Sequence, residues 1–283
     1  MECKIGGIKL YYEVFGEGRP IVFIHGLGLD YRSLYEFAEP LFNKNKDWKR
    51  IYLDLPGMGL SEYADWIKNS EQMLDIVLDF IDFLIPGESF LLAGYSYGGY
   101  LSMGVAYKKK QKVDGLFLLC PVVLADHAKR RLPCHKPLTI DLDFLNSLTD
   151  EQRSEFTSIA IVQNQQMWEK ADRTIFTANK LAESKFIVNL AINSSYPFSF
   201  ESEMLSEKFN EPALVVTGRQ DAVVGSVDTW RITATFPRAT FATLDMAGHN
   251  LQIEKETLLG NLVEDWLDRV VNEQPSVELS TDG

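Results

Sequence analysis

The sequence predicts an α/β fold, in which a doubly wound, mostly parallel β-sheet carries an inserted helical cap. Short, continuously apolar runs, such as residues 21–24 and 89–95, are typical of strands buried on both faces of a parallel sheet. Helical patterns alternate with these runs along the chain. The alternation stops between residues 126 and 208, a stretch too long for a loop in a compact domain. We therefore predict a sheet core interrupted by a helical insertion.

The first half of the chain shows the alternation most clearly. Gly6 and Gly7 separate two strand-like runs and predict a β-hairpin in residues 4–16. Farther along, an apolar stripe at helical spacing follows Asn69 and Ser70, either of which is a suitable N-cap, and predicts a helix. The other elements predicted here are strands at residues 21–24, 50–54 and 89–95, and helices at residues 32–42 and from about residue 98.

The sheet is predicted to resume after the cap. Within the cap we expect helices and no strand, and Thr149 with Gln152 fits a capping box. The elements predicted after the serine motif described below are strands at residues 115–121, 213–218 and 240–244 and helices at residues 227–236 and 259–270. The predicted division is a core of residues 1–125 and 209–272, a cap of residues 126–208, and a disordered polar tail of residues 273–283.

Composition and charge restrict the classes of partner. The 283-residue chain has a net charge of −12, which argues against nucleic acid or an anionic membrane, since both require a basic face. Its two short basic clusters, residues 108–110 and 129–131, fit a solvated helix end and a solvated loop. The three cysteines have no metal-like spacing, and no segment has the pattern of an export signal or a membrane span. We expect a cytoplasmic protein that acts on a small molecule, without a metal or organic cofactor.

The chemistry is predicted to centre on a serine between two glycines. Gly94, Ser96 and Gly98 fit the pattern G-x-S-x-G at the junction of a buried strand and a helix. Glycine is required on both sides because the strand and helix backbones approach closely and a Cβ would collide. Such a turn would expose the serine hydroxyl at the sheet edge. It would also place the Tyr97 amide at the positive end of the helix, ready to stabilise an oxyanion.

Two further strand ends supply the partners that a serine nucleophile needs. Asp221 and His249 each follow a predicted strand. A serine hydroxyl is a poor nucleophile at neutral pH, so an imidazole must take its proton and a carboxylate must hold that imidazole in the right tautomer. We therefore predict Ser96, His249 and Asp221 as a catalytic triad. Asp126, just beyond the strand that precedes the cap, is the alternative acid.

The loop after the first buried strand supplies a fourth element. His25, Gly26 and Leu27 stand at the end of that strand. The Leu27 amide is predicted as the second oxyanion donor, beside that of Tyr97. We expect His25 to brace the loop through hydrogen bonds rather than to take part in the chemistry.

The motifs that point to a known family are residues 25–28, 54–61, 94–98, 218–221 and 248–249. Together they resemble the α/β-hydrolase fold family, in its capped esterase and carbon–carbon hydrolase-like group. The resemblance covers residues 4–272 and implies the fold, triad and oxyanion donors given above. Ser96 separates the chain from the dehalogenases and epoxide hydrolases of this fold, whose nucleophile is an aspartate. Met58 departs from the histidine or arginine of many relatives, and we expect it at the pocket rim.

The resemblance implies a serine hydrolase that forms an acyl-enzyme with a small or medium-sized, mainly apolar acyl substrate, such as a carboxylic ester. Two alternatives stay open: a carbon–carbon hydrolase or lyase-like enzyme with the same triad, and a small-molecule receptor with little turnover. The oligomeric state is left open. Part of the apolar bulk of the cap is expected to face the cleft. The side chains concerned are Phe144, Leu145, Leu148, Phe156, Ile159, Met167, Trp168, Phe176, Phe186, Ile187, Tyr196, Phe198 and Phe200.

Overall fold

The computed structural model describes residues 1–43, 47–192 and 195–272 of the chain. Its strands are, in chain order, β1 (Glu2–Ile5), β2 (Ile8–Phe15), β3 (Arg19–Ile24), β4 (Trp48–Leu53), β5 (Phe90–Tyr95), β6 (Val113–Leu119), β7 (Thr139–Ile140), β8 (Val162–Gln163), β9 (Ala213–Gly218) and β10 (Ala239–Leu244). Eight of them form one sheet in the order β1-β2-β4-β3-β5-β6-β9-β10. β1 with β2 and β2 with β4 are antiparallel, and the other neighbours in this sheet are parallel. The predicted α/β class is confirmed.

Helices flank this sheet. The α-helices are α1 (Arg32–Ala38), α2 (Ser70–Leu84), α3 (Tyr97–Lys108), α4 (Leu142–Ser147), α5 (Asp150–Thr157), α6 (Gln165–Ala171), α7 (Thr177–Leu181), α8 (Ser184–Ala191), α9 (Glu201–Ser206), α10 (Leu251–Glu254) and α11 (Glu256–Asn272). α3 packs on β5 and against α2, whereas α11 packs on β6 and β9. The Trp266 indole of α11 is buried and donates to the Pro212 carbonyl, 3.0 Å away, which fixes the helix to the sheet. None of the described helices is both long and apolar enough to cross a membrane.

Three predicted elements need correction. The helix predicted at residues 32–42 ends at Ala38 and continues as a 3₁₀-helix, Glu39–Phe42, because Pro40 has no N–H to extend the α-helical ladder. The helix predicted at residues 227–236 is a single 3₁₀-helix, Asp228–Ile232. The cap was predicted to lack strands, yet β7 and β8 pair within it. Each has two residues, too few to show an alternating pattern in the sequence.

The strand order reverses at β3, which lies between β4 and β5. The chain leaves β3 towards one side of the sheet and then returns past it to form β5. In a parallel sheet such a switch point creates a crevice at the carboxyl ends of the two strands. Ile24 is paired with Gly94 at this end, so the loop that starts at His25 begins beside the predicted serine turn. The fold therefore brings the two motifs together.

The inserted segment, defined here as residues 120–212 between β6 and β9, contains α4 to α9 and one π-helical turn, Asp172–Phe176. It has a small aromatic core in which the rings of Phe156 and Trp168 and of Trp168 and Phe176 lie 5.5 and 5.4 Å apart. The capping box of Thr149 and Gln152 is formed as predicted. The division of the chain into a core and a cap at residues 126 and 208 stays a prediction. The predicted tail, residues 273–283, lies outside the described residues.

Candidate active site

Ser96 stands at a strained turn between β5 and α3. Its φ and ψ angles are 57° and −116°, a conformation that non-glycine residues rarely adopt. The flanking glycines have no room for a side chain. A Cβ on Gly98 would overlap the Ile24 carbonyl oxygen, and one on Gly94 would overlap the Ser102 hydroxyl. α3 begins at Tyr97, one residue earlier than predicted, so the turn is as tight as the pattern requires.

The structure brings Ser96, His249 and Asp221 into one chain of hydrogen bonds. His249 Nε2 lies 2.9 Å from Ser96 Oγ, and His249 Nδ1 lies 2.8 Å from Asp221 Oδ2. A carboxylate accepts only, so Nδ1 carries the hydrogen of the neutral imidazole and Nε2 is left as the acceptor for the serine hydroxyl. All three side chains are buried. This arrangement is the one in which an imidazole takes a proton from a serine.

Asp221 is held as a carboxylate at the end of β9. Its Oδ1 accepts hydrogen bonds from the Val223 and Val224 N–H groups at 2.8 and 3.0 Å. Complete burial opposes ionisation, but the charge interaction and hydrogen bond with His249, together with these two N–H groups, outweigh it and keep the pKa of Asp221 below its usual value. The alternative acid, Asp126, lies elsewhere. It caps the 3₁₀-helix His127–Lys129 and pairs with Lys129 at 3.2 Å.

Backbone strain is concentrated at this edge of the sheet. Among the described residues, the non-glycine residues with positive φ are Ser96, Cys120 and Met246, at 57°, 41° and 54°. They follow β5, β6 and β10, three parallel strands whose carboxyl ends lie at the same edge. Such conformations persist where the surrounding structure over-determines them, which happens most often at functional sites.

The two predicted oxyanion donors lie on the loop after β3 and at the start of α3. The Leu27 N–H has no acceptor among the described residues, and Leu27 lines the cavity described below. Tyr97 is the first residue of α3, so its N–H has no acceptor within the helix. Its side chain points away from the cavity and donates to Ser70 Oγ at 3.0 Å.

His25 stabilises the loop after β3 through two hydrogen bonds of its ring. Its Nε2 accepts from the Leu55 N–H at 2.9 Å and its Nδ1 lies 2.8 Å from the Gly26 carbonyl, so the neutral Nδ1–H tautomer satisfies both. Burial lowers the pKa of His25 to about 4, against the Gly26 carbonyl and the charge of Asp30, which raise it. Met58 is fully buried and its sulfur accepts from the Gly28 N–H, so it supports this loop rather than the pocket rim.

A cavity of about 380 Å³ lies over Ser96 and His249. Its size falls within the range of about 300–1,000 Å³ that is usual for small-molecule sites. Of the apolar cap side chains named above, Ile159 and Tyr196 line it, whereas others pack within the inserted segment or on the sheet core. Polar side chains also face it, and the sequence did not single them out: His127, Arg130, Asn179 and Asn250.

Glu254 was also missed by the sequence analysis. Its carboxylate accepts from the Gly248 N–H at 2.6 Å and from the Ile161 and Val162 N–H groups at 2.7 and 3.3 Å. It therefore joins the loop that carries His249 to the inserted segment. Burial raises the pKa of Glu254, and the three N–H groups oppose that effect. No local sequence pattern indicates that a carboxylate will bind backbone N–H groups that are distant along the chain.

Asp221 and His249, together with the neighbouring Cys120, have the residue types of a metal site. Potential ligand atoms of Cys120, Asp221 and His249 lie within 4.8 Å of one another. The Asp221 and His249 atoms already satisfy each other, and burial raises the pKa of the Cys120 thiol, which opposes formation of a thiolate ligand. The donor set is therefore better explained by hydrogen bonding, and the predicted lack of a metal stays a prediction.

Comparison with known proteins identifies the family. The family model described as alpha/beta hydrolase fold matches residues 19–256, and the chain belongs to this family of hydrolases. A solved alpha/beta superfamily hydrolase from Oenococcus oeni PSU-1 is 31% identical, with a TM-score of 0.87 over 96% of this chain and 99% of that one. A thermophilic esterase from Thermogutta terrifontis is 22% identical, with a TM-score of 0.69 over 95% and 99% of the two chains.

Among curated proteins, a dihydrolipoyllysine-residue acetyltransferase component of an acetoin cleaving system from Pseudomonas putida is 27% identical over 255 residues. The match covers 89% of this chain and 65% of that relative, so the chain spans about two thirds of its length. Esterases and carbon–carbon bond hydrolases both occur among the homologues.

Proposed function

We propose that this hydrolase cleaves carboxylic esters of small or medium-sized, mainly apolar acyl groups through an acyl-enzyme. The observation that carries the proposal is the unbroken chain from Ser96 Oγ through His249 to Asp221, with separations of 2.9 and 2.8 Å, beneath a cavity of about 380 Å³. A buried serine at the apex of a strained turn has no structural advantage over glycine or asparagine there, since those residues adopt positive φ more readily. A nucleophile is the simplest reason for its presence.

The proposed reaction has two halves. Ser96 Oγ attacks the ester carbonyl as His249 Nε2 takes the hydroxyl proton, and the Leu27 and Tyr97 N–H groups stabilise the oxyanion. His249 then passes the proton to the departing alkoxide, which leaves the acyl group on Ser96. In the second half water attacks the acyl-enzyme with the same help from His249, and the acid is released. Asp221 holds the imidazole and stabilises its charged form throughout.

The size and lining of the cavity support a small substrate. Its apolar wall comes from the core and from the inserted segment, with Leu29, Val122, Ile159 and Ile175 among its members. Burying one further methylene there should contribute about 0.8 kcal/mol, or about fourfold in kcat/KM, until the space is full. Specificity is therefore expected to rise with acyl length and then to fall.

Covalent labelling with a fluorophosphonate tests the nucleophile directly. The wild-type protein should gain one phosphonyl group on Ser96, located by peptide mass spectrometry, and hydrolysis of p-nitrophenyl esters should stop in step with labelling. Ser96→Ala should lose the label and about a million-fold in turnover. Ser102→Ala is the matched control because Ser102 is a buried serine of the adjoining helix whose hydroxyl binds the Gly98 carbonyl. Labelling that persists in Ser96→Ala would contradict the proposal.

A carbon–carbon hydrolase is the second candidate, because relatives of that kind share the fold and match most of the chain. Such an enzyme would use the same three side chains to move a proton to the carbon that leaves. The two candidates differ in how readily they form and hydrolyse an acyl-enzyme from a simple ester. Rapid release of p-nitrophenol followed by slower steady turnover favours the esterase, whereas cleavage of a vinylogous 1,5-diketone with negligible ester turnover favours the alternative.

A further inference from the structure

We propose that Arg130, with the hydroxyl group of Tyr196, binds a carboxylate on the substrate, so that the preferred substrates are esters bearing one negative charge. This inference rests on the proposed ester hydrolysis and names its substrate class. Arg130 and Tyr196 both line the cavity that contains Ser96. The Arg130 guanidinium carbon lies 5.9 Å from the centre of the Tyr196 ring.

Arg130 differs from the two basic residues beside it. Lys129 pairs with Asp126 at 3.2 Å, and Arg131 pairs with the buried Asp228 at 2.9 Å. Arg130 makes no ion pair with any residue in the described ranges. Residues 129–131 are thus two paired cations at the surface and one unpaired cation at the cavity, rather than the uniformly solvated loop that the sequence predicted.

The guanidinium is held in place by backbone carbonyls. Its Nε donates to Leu124 at 2.8 Å, and its two terminal nitrogens donate to Val223 and Ala125, both at 3.3 Å. An arginine has five N–H donors, so these three bonds leave two for other partners. Carbonyl oxygens orient the group without neutralising it. A positive charge is therefore presented at the cavity by a group whose position is fixed.

The Tyr196 hydroxyl completes the donor set. Tyr196 is buried, and its ring packs 5.0 Å from that of Tyr97 and 5.8 Å from that of Tyr100. Burial raises the pKa of Tyr196, while the charge of Arg130 and a hydrogen bond from it act in the opposite direction. A neutral tyrosine hydroxyl has one hydrogen that it can donate to an acceptor in the cavity. A carboxylate between the two residues would accept from both.

The net negative charge of the chain makes a local cation necessary for binding an anionic substrate. With a net charge of −12, the surface repels anions on average, so an anionic substrate gains affinity only where a cation is presented locally. Hydrogen bonds from a cation to a carboxylate are about twice as strong as those between neutral groups, and more so away from bulk water. Arg130 presents such a cation at the cavity.

Matched pairs of methyl esters test the inference. The probes are the monomethyl esters of succinic, glutaric, adipic, pimelic and suberic acids and the corresponding dimethyl esters. Within a pair the acyl chains have equal length and differ in charge. We expect wild-type kcat/KM to favour the charged ester by about tenfold or more at the best length. Arg130→Met should abolish that preference, a loss of about tenfold or more in kcat/KM for the charged ester, mainly through KM, because the contact is made already in the ground state.

The control is Lys129→Met. Lys129 precedes Arg130 and carries the same charge, but its side chain forms an ion pair with Asp126 at the surface. This variant should leave turnover of both esters of each pair unaffected. Arg130→Lys and Tyr196→Phe should each reduce the preference by a smaller factor while the neutral diester reports whether the site is intact. If Arg130→Met disrupts turnover of both esters, these two variants decide the question. An unchanged preference in both would overturn the inference.

The outcomes also separate this inference from the proposed function. A wild-type protein that hydrolyses the dimethyl esters and is labelled on Ser96, but has no preference for the charged esters, contradicts the carboxylate site alone. A wild-type protein that is not labelled and hydrolyses no ester contradicts the proposed function itself.

Discussion

The carboxyl edge of the sheet and the inserted segment are built by different rules. At the sheet edge, Ser96, His249 and Asp221 each follow a strand, and glycines with no room for a Cβ fix the backbone around them. In the inserted segment the α-helices have five to eight residues. Large apolar side chains are exposed on several of them, including Leu142, Leu181 and Val188. The first region is fixed by local backbone geometry and the second by tertiary packing. Reaction chemistry is thus encoded locally, whereas the surroundings of the substrate are not.

Among the variants that compare these two regions, the largest effect is expected from Asp221→Asn, which tests how strictly the sheet edge is fixed. An amide at this position could donate to His249 Nδ1 and thereby favour the wrong imidazole tautomer, leaving Nε2 protonated and unable to accept from Ser96. We expect kcat to fall about 10⁴-fold with little change in stability. Asp126→Asn is the control, since Asp126 pairs with Lys129 away from the histidine, and it should stay within a fewfold of wild type. The reverse pattern would transfer the role to Asp126.

The second effect is a pH dependence of the free energy of unfolding, caused by His25 in the loop after β3. The folded-state pKa of His25 is about 4 against an ordinary value of 6.5, so between these pH values the unfolded chain binds more protons than the folded one. The stabilisation is complete above pH 6.5 and is lost as pH falls towards 4. At about 1.4 kcal/mol per pH unit the total loss is about 3 kcal/mol.

Urea unfolding of wild type and His25→Gln at pH 7 and pH 4.5 measures this. The glutamine side chain of the variant would not titrate, so contributions common to both proteins cancel, including that of Asp54, whose pKa is raised to about 7 by burial against the N–H groups of Leu60 and Tyr31. The wild type should be the more stable at pH 7, and its advantage should shrink by about 2–3 kcal/mol at pH 4.5. An advantage that is independent of pH would show that His25 is not buried in its neutral form.

The third effect tests the connection between the two regions. Glu254→Gln replaces a carboxylate that accepts three backbone N–H bonds with an amide that has a single acceptor oxygen. We expect the free energy of unfolding to fall by about 1–3 kcal/mol and kcat to fall as well, because Gly248 precedes His249. The control is Glu256→Gln, which removes a half-exposed ion pair to Lys170 of the inserted segment and should cost under about 1 kcal/mol. Equal losses in both variants would mean that Glu254 has no special role.

The sequence predicted the sheet edge well because its signals are local. Residues 94–98 show a glycine-flanked serine after an apolar strand, and Asp221 and His249 each come shortly after a strand, the first of which is buried throughout. The glycine pattern reflects steric contacts within a few residues, so it can be found without knowing the fold. The order of the strands then brings the three residues together. Their roles in catalysis stay a proposal.

The surroundings of the cavity could not be predicted in the same way. Arg130 stands in a basic cluster that resembles a solvated loop, and its distinction from Arg131 depends on Asp228, which lies far along the chain beyond the inserted segment. Most of the apolar cap side chains do not line the cavity over Ser96, because a segment of short helices must bury apolar surface to hold its shape. Some pack within the segment, as Phe156 does against Trp168, and others pack on the sheet core, as Phe198 does on Tyr100. Periodicity shows that a side chain is buried, but not which of two neighbouring elements buries it.

The smallest effect is expected within the inserted segment, where Leu142 and Leu145 stand one turn apart on α4. Leu142 is 66% exposed and Leu145 is 6% exposed. Leu142→Ser should change the free energy of unfolding by no more than about 0.5 kcal/mol, since it removes little buried area and serine is tolerated in a first helical turn. Leu145→Ala should cost about 2 kcal/mol or more, because it leaves a void among packed side chains. Thermal unfolding with ester turnover measured on the same samples checks both. Equal costs would mean that Leu142 is covered in solution, and the inserted segment would then be packed more like the sheet core than its exposed apolar side chains indicate.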